Sequence, residues 1–259
     1  MENFLIKQEA YLEAGIHIGT KMKVVDMNQF IYRMRNDGLY VLDLRKIDER
    51  IRMAAKILAK YEPKEILVVA SRTYSGNAAS VFSELTGIGV FQGRFIPGIL
   101  TNVSRADFVE PKLLIICDPK GERQAVIEAG NMGIPAIGLC DSDNITMFID
   151  WVIPCNNKGR RSLALIFYLL SREYMMAKNK IASYDEFTKP LSDFEMEKED
   201  VEAAKAAAAA ATQPEGAQVP AEEPAAEAEP AEETAPAEAA EKPSHKEEHA
   251  SKKKKEKKE

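Results

Sequence analysis

Few residues of this sequence suit redox or metal chemistry. There are three cysteines in 259 residues, and Cys117, Cys140 and Cys155 lack the paired spacing of a metal site. Two stand at the ends of apolar runs, and all three read as reduced core thiols. There is one tryptophan, Trp151, and of three histidines only His17 precedes the Ala/Glu/Pro/Lys-rich end. The longest uninterrupted apolar run, Leu163–Leu170, is far short of the ~20 residues a membrane-spanning helix needs. The opening Met-Glu-Asn-Phe-Leu-Ile-Lys-Gln-Glu has acid where a signal peptide has base. The expectation is a cytosolic chain with no membrane partner.

Charge is unevenly spread. Residues 1–198 hold 26 basic and 25 acidic residues, a net of +1, whereas the remainder has a net of −7. Beyond Glu199 the chain is mostly Ala, Glu, Pro and Lys, with Val201 and Val219 its only large apolar residues. Such a segment buries too little surface to offset its ordering entropy, so 199–259 is expected to be a disordered tail. Function is therefore sought in roughly the first 190 residues.

From Leu39 to Ala182 short apolar runs alternate with helical stretches. The runs are Leu39–Leu42, Ile66–Ala70, Ile88–Phe91, Leu113–Cys117, Ile134–Leu139 and Trp151–Ile153. Most are continuously apolar, as in strands covered on both faces. Helical period marks Arg45–Tyr61, where Ile47, Ile51, Ala55 and Leu58 share a face behind a cap at Asp43 or Leu44. It also marks Thr73–Leu85, Gly121–Asn131 and a long closing helix over Lys158–Lys180. This alternation predicts an α/β fold with a mostly parallel sheet in three layers. Upstream, Asn36-Asp37-Gly38 separates two strand-like runs and signals a hairpin. Gln8–Ala14 reads as a short helix, and Gly15–Val25 as an irregular arm. The expected units are 1–38 (helix, arm and hairpin), 39–182 (the α/β domain), 183–198 (an extension) and 199–259 (the tail).

Parallel three-layer sheets often bind phosphates at strand carboxyl ends. Ser71-Arg-Thr-Tyr-Ser-Gly-Asn after Ile66–Ala70 resembles a flavodoxin phosphate loop, but Ala78 replaces a last hydroxyl. A strand-to-helix turn capped by Thr73 or Ser75 is the simpler reading. No G-x-G-x-x-G or G-x-x-x-x-G-K-[ST] occurs. His17, flanked by isoleucines, fits a packed side chain better than a general base. Asp43, Asp118 and Asp141 stand at strand ends, where helix caps also belong. Nothing brings together a nucleophile, its base and an oxyanion site, so no enzyme, cofactor or small-molecule substrate is expected.

Basic residues are more informative. A cation follows nearly every apolar run: Arg45, Arg72, Arg94, Lys120, then Lys158, Arg160 and Arg161. Parallel strands end on one edge, so these side chains should converge there, with Lys21, Lys23, Arg33 and Arg35 added by the arm and hairpin. Arg160 and Arg161 fall in the first turn of the closing helix, where the helix dipole disfavours positive charge by ~0.3–1 kcal/mol each. No compensation is visible in the sequence, and such a broken rule marks a candidate anion site.

Several stretches then resemble a known family. Ala14-Gly-Ile-His-Ile-Gly-Thr, Asn36-Asp-Gly-Leu-Tyr-Val-Leu-Asp, Gly93-Arg-Phe-Ile-Pro-Gly-Ile-Leu-Thr-Asn and Asp150-Trp-Val-Ile-Pro-Cys-Asn-Asn-Lys-Gly resemble signatures of the ribosomal protein S-two family. Pro111-Lys-Leu-Leu-Ile-Ile-Cys-Asp, with Glu128 and Gly133-Ile134-Pro135, is similar too. The eukaryotic member of that family is ribosomal protein SA, the laminin receptor precursor. The resemblance implies a flavodoxin-like fold and a structural role in the small ribosomal subunit near its head–body junction. It also implies late assembly and contacts to ribosomal RNA and neighbouring ribosomal proteins. The coiled-coil insertion of bacterial members has no room in Glu62-Pro-Lys-Glu65, and the Trp-containing tail repeats of eukaryotic members are missing. An archaeal type fits. The candidate RNA-binding set is Lys21, Lys23, Arg33, Arg35, Arg72, Arg94, Arg105, Lys158, Arg160 and Arg161. The terminal lysines around Lys252–Lys255 are a further candidate contact, and a hydrophobic hairpin at Phe30, Ile31 and Tyr32 is the alternative for a protein adaptor.

Overall fold

The computed structural model describes residues 4–195. The expectations for 199–259, including the terminal lysines, lie outside the described residues.

The chain opens with α1 (Gln8–Ala14), ended by Gly15 in the left-handed region at φ 68°. Tyr11 anchors this short helix: it is fully buried and donates to Asp48 Oδ1 at 2.6 Å. The same carboxylate accepts from the Leu5 amide and Arg52 Nε, which ties the N-terminal segment to α2 (Leu44–Leu58). Asp43 caps α2, accepting from the Arg45 amide at 3.0 Å. Its buried face carries Ile47, Ile51, Ala55 and Leu58, the stripe expected from the period.

Before α2 come β1 (Ile31–Met34) and β2 (Tyr40–Leu42), joined through the Asn36-Asp37-Gly38 turn. They pair antiparallel and form a two-stranded sheet of their own. The Leu39–Leu42 run is therefore a hairpin strand rather than a member of the parallel sheet. Its half-exposed Tyr40 and Val41 fit that place, because a central parallel strand is covered on both faces. Residues 17–20 add a third row. The Leu42 amide donates to the His17 carbonyl, the Gly19 amide to Tyr40, and the Tyr40 amide to Thr20.

The main sheet contains β3 (Ile66–Ala70), β4 (Gly89–Gln92), β5 (Leu113–Ile116), β6 (Ala136–Cys140) and β7 (Trp151–Pro154). Their order is β4-β3-β5-β6-β7, all parallel, which is the flavodoxin-like arrangement. Strand alternation divides the core between two faces. Ile66, Val68 and Ala70 pack with α2, α3 (Thr73–Thr86) and α5 (Arg160–Ala177). Leu67 and Val69 pack with α4 (Arg123–Met132) and with Phe95, Ile99 and Leu100 of the long β4–β5 connection. Winding direction reverses between β3 and β5, and right-handed crossovers then require helices on opposite faces.

The apolar run Leu163–Leu170 is the middle of α5 and is buried except at Tyr168, as expected of a helix apolar on nearly every side. Residues after α5 return across it, where Tyr168 meets Phe187 and Phe194 at ring separations of 5.2 and 5.9 Å. Cys117, Cys140 and Cys155 are buried free thiols whose ionisation burial suppresses.

Candidate nucleic-acid interface

The carboxyl edge of the sheet does gather cations, but it gathers acids with them. Arg72 reaches Asp118 Oδ2 through Nε at 2.8 Å and Nη2 at 2.5 Å. Lys158 Nζ lies 3.0 Å from Asp143 Oδ1 and 3.3 Å from Asp141 Oδ2, and Lys120 Nζ lies 3.1 Å from the other oxygen of Asp143. Asp118 and Asp141 are almost fully buried, with Asn144 and Asn157 beside them. Burial pushes the Asp141 carboxyl upward. Burial opposes ionisation of Asp143 as well, yet the two lysines hold it below the usual carboxylate range. A phosphate recruited by Arg72 or Lys158 must compete with a carboxylate already in place.

The crevice between β3 and β5 is the position where doubly wound sheets bind ligands. Here Glu122 occupies it. Its Oε1 accepts from the amide and hydroxyl of Ser71 at 2.7 and 2.9 Å, and its Oε2 from the amides of Cys117 and Asp118 at 3.0 and 3.2 Å. Burial pushes its pKa up to about 7 against the pull of these bonds. The donors that could wrap a cofactor phosphate are thus spent on the chain's own carboxylate. The turn at Thr73–Asn77 is also simpler than a phosphate loop. Arg72 is the N-cap of α3, in place of Thr73 or Ser75, and the Ser75 hydroxyl donates to the Arg72 carbonyl.

Arg160 and Arg161 do occupy the first turn of α5. The compensation absent from local sequence comes from the returning chain: Glu195 Oε2 lies 3.8 Å from Arg160 and 4.0 Å from Arg161. Arg94 is exposed at the β4 end of the sheet, beside the crevice. Arg105 sits in the β4–β5 connection, forked onto Asp107 at 2.7 and 2.8 Å. That connection is pinned by buried Glu128, which accepts from the Gly98 and Leu100 amides.

The arm and hairpin differ. Lys21, Lys23 and Arg33 are exposed, and none of them has a carboxylate partner among the described residues. Lys23 Nζ stands 5.4 Å from the Tyr40 ring. Arg35 pairs with Asp37 at 3.2 Å, but both side chains are about half exposed, where such a pair is weak. The arm is nonetheless fixed. The Thr20 amide donates to Ser142 Oγ, the Val24 amide to the Ser142 carbonyl, and Ser142 Oγ to the Met22 carbonyl. Gly19 makes the crossing possible, since a Cβ there would stand 2.9 Å from Ser142 Oγ and 3.0 Å from the Tyr40 carbonyl.

Of the adaptor trio, Phe30 is buried and Ile31 half-buried against the core, leaving only Tyr32 at the surface, 70% exposed. His17 is half-buried at the arm. Burial lowers its pKa, a bond to the Tyr11 backbone opposes this, and the charge of Arg35 adds to the lowering. The sequence did not reveal Asp143 or Glu195 as neutralising groups, nor Glu122 as the acceptor that fills the crevice. No local pattern marks Asp143 and Glu195, because their partners are remote in the chain, and Glu122 reaches across to Ser71 as well as to the nearby Cys117 and Asp118 amides.

Comparisons with known proteins point to one family. A family model described as Ribosomal protein S2 matches residues 11–108 and 105–176. The small ribosomal subunit protein uS2 of Methanococcus maripaludis strain C5 is 51% identical over 191 residues, covering 72% of this chain and 87% of the relative. The uS2 proteins of Picrophilus torridus and Thermoplasma acidophilum are 47% and 48% identical, covering 76% and 75% of this chain and 98% of each relative.

Proposed function

This chain belongs to the ribosomal protein S2 family, as an archaeal type and a structural, non-enzymatic constituent of the small ribosomal subunit, and on that premise we propose how it grips its RNA. The arm and hairpin hold small-subunit ribosomal RNA through phosphate contacts from Lys21, Lys23, Arg33 and Arg35. Arg94 extends the contact along the carboxyl side of the sheet. Arg72, Arg105, Lys158, Arg160 and Arg161 share their charge with groups of the chain itself and contribute less. The observation that carries this reading is the lack, among the described residues, of an opposing carboxylate at Lys21, Lys23 and Arg33, on an arm fixed by bonds to Ser142 and the hairpin. Such contacts register a protein on RNA shape and do not read sequence.

A neighbouring ribosomal protein is the second kind of partner. Ile145, Met147 and Phe148 are 64, 63 and 48% exposed on one loop, and Phe148 is held at φ 62°, a costly conformation for that residue. An apolar surface kept exposed at that cost suits a protein contact in the assembled particle. Residues 4–195 act as one RNA-anchored body that joins the particle late in assembly, in the cytoplasm. Among the described residues no helix is long and apolar enough to cross a membrane.

The test is subunit occupancy by gradient sedimentation at about 0.1 M salt or above. Lys21→Glu with Lys23→Glu should reduce occupancy strongly, Arg160→Glu with Arg161→Glu should reduce it less, and wild-type occupancy should fall with salt. Full occupancy by both double variants would refute the assignment.

A further inference from the structure

A cleft of about 620 Å³ opens between α1, the arm at His17 and the hairpin. That volume lies within the roughly 300–1,000 Å³ range of pockets that enclose small ligands. Its walls combine two chemistries. Leu12 and Leu44 supply apolar surface, while Arg33, Arg35 and Arg45 line the same space. Arg45 stands in the first turn of α2, whose N-terminus faces the cleft. The acid in the wall, Asp43, is committed to capping that helix.

The hairpin is irregular where it meets the cleft. Ile31 pairs with Leu42 and Arg33 with Val41, so Tyr32 is an extra residue in β1. Successive residues of a regular strand face opposite sides, but a bulge re-aims one of them. Tyr32 and Arg33 both line the cleft as a result. Among the described residues no ring or cation stacks on Tyr32.

We propose that this cleft seats one unstacked nucleotide of ribosomal RNA, its base against the Tyr32 ring and its phosphate beside Arg33 and Arg35. An exposed aromatic face next to guanidiniums matches a flat base joined to a phosphate, and a base is free to enter only where RNA is unpaired. The inference rests on the RNA reading above and adds the kind of RNA: a bulged, looped or single-stranded segment at the hairpin, with duplex excluded from the cleft.

The full chain, as wild type, Tyr32→Ala, Tyr32→Phe and Arg33→Ala/Arg35→Ala, is titrated into a labelled single-stranded ribonucleotide and into the matching duplex at about 50 mM salt. Loss of the ring should weaken single-strand binding on the order of five- to a hundredfold, while Tyr32→Phe stays near wild type. Duplex binding should be unchanged by Tyr32→Ala, whereas the double arginine variant should weaken binding to both probes. If the cleft variants bind both probes as wild type while Lys21→Glu/Lys23→Glu loses binding, the cleft assignment fails and the RNA reading stands. If wild type binds neither probe and Lys21→Glu/Lys23→Glu enters subunits normally, both fail. Should Tyr32→Ala bar entry into subunits while binding RNA as wild type does, the cleft is a protein contact and the proposal is overturned.

Discussion

Two regions of this protein are rich in basic side chains, and only one of them leaves most of those charges uncommitted. At the carboxyl edge of the sheet, the partly exposed cations Arg72, Lys120 and Lys158 meet the buried carboxylates of Asp118, Asp141 and Asp143. On the arm and hairpin, Lys21, Lys23 and Arg33 face outward with no such partners among the described residues. The lesson is that cation density does not measure an RNA-binding surface. A guanidinium that already holds a buried carboxylate stabilises the fold, because separating the two leaves a charge in a poorly solvated place.

Breaking the edge should produce the largest effect on stability. Glu122→Ala strips the acceptor from three amides and a hydroxyl that converge on the crevice between β3 and β5. Destabilisation of roughly 3 kcal/mol or more is expected, read from the urea unfolding midpoint. A wild-type midpoint would mean that these donors find solvent and that the edge is less closed than its geometry implies.

The converse holds on the arm. Lys21→Glu with Lys23→Glu should weaken RNA binding on the order of tenfold or more and flatten its salt dependence, while unfolding shifts by no more than about 0.5 kcal/mol. Comparable losses of stability and binding would erase the distinction between the regions.

Gly19 links them, as its Cβ position abuts Ser142 of the edge and the Tyr40 carbonyl of the hairpin. Gly19→Ala should cost about 1–3 kcal/mol through displacement of the arm, and should weaken RNA binding as well. Circular dichroism melts and filter binding on the same preparation would show both effects together.

The smallest effect concerns pH. His17 is held below the ordinary histidine value of 6.5, chiefly by burial. Between its folded value and 6.5 the unfolded chain binds more protons than the folded one, so stability attributable to this residue falls as pH drops through that window. His17→Phe should flatten the pH dependence of the unfolding midpoint between about pH 7 and pH 5. An unchanged slope would show that the imidazole reaches solvent in the folded state.

Much of the fold was legible because its signals are local. The continuous runs Ile66–Ala70 and Leu113–Cys117 announced strands covered on both sides, and they are buried throughout. The cap of α2 was narrowed to Asp43 or Leu44, and Asp43 makes it. Leu39–Leu42 was legible as the second hairpin strand, but its exclusion from the parallel sheet was not. An apolar run records burial of a kind, not which strand it pairs with, and this one pairs with β1 and with residues 17–20. Arg160 and Arg161 could be placed at the start of α5 from sequence, but Glu195 joins them from beyond the far end of that helix. The cleft at Tyr32 escaped notice because a bulge is a property of two strands in register, and neither strand shows it alone.

Sequence by itself determined the alternation of strands and helices, the hairpin turn, the buried thiols and the resemblance to a ribosomal family. Each of these depends on residue order over a few positions, or on motifs in sequence. Only the tertiary structure decided which cations remain uncommitted. Arg72 finds Asp118 46 residues away, and Lys120 finds Asp143 23 residues away. Electrostatic neutralisation depends on distance in space, and chain folding sets that distance independently of separation along the sequence.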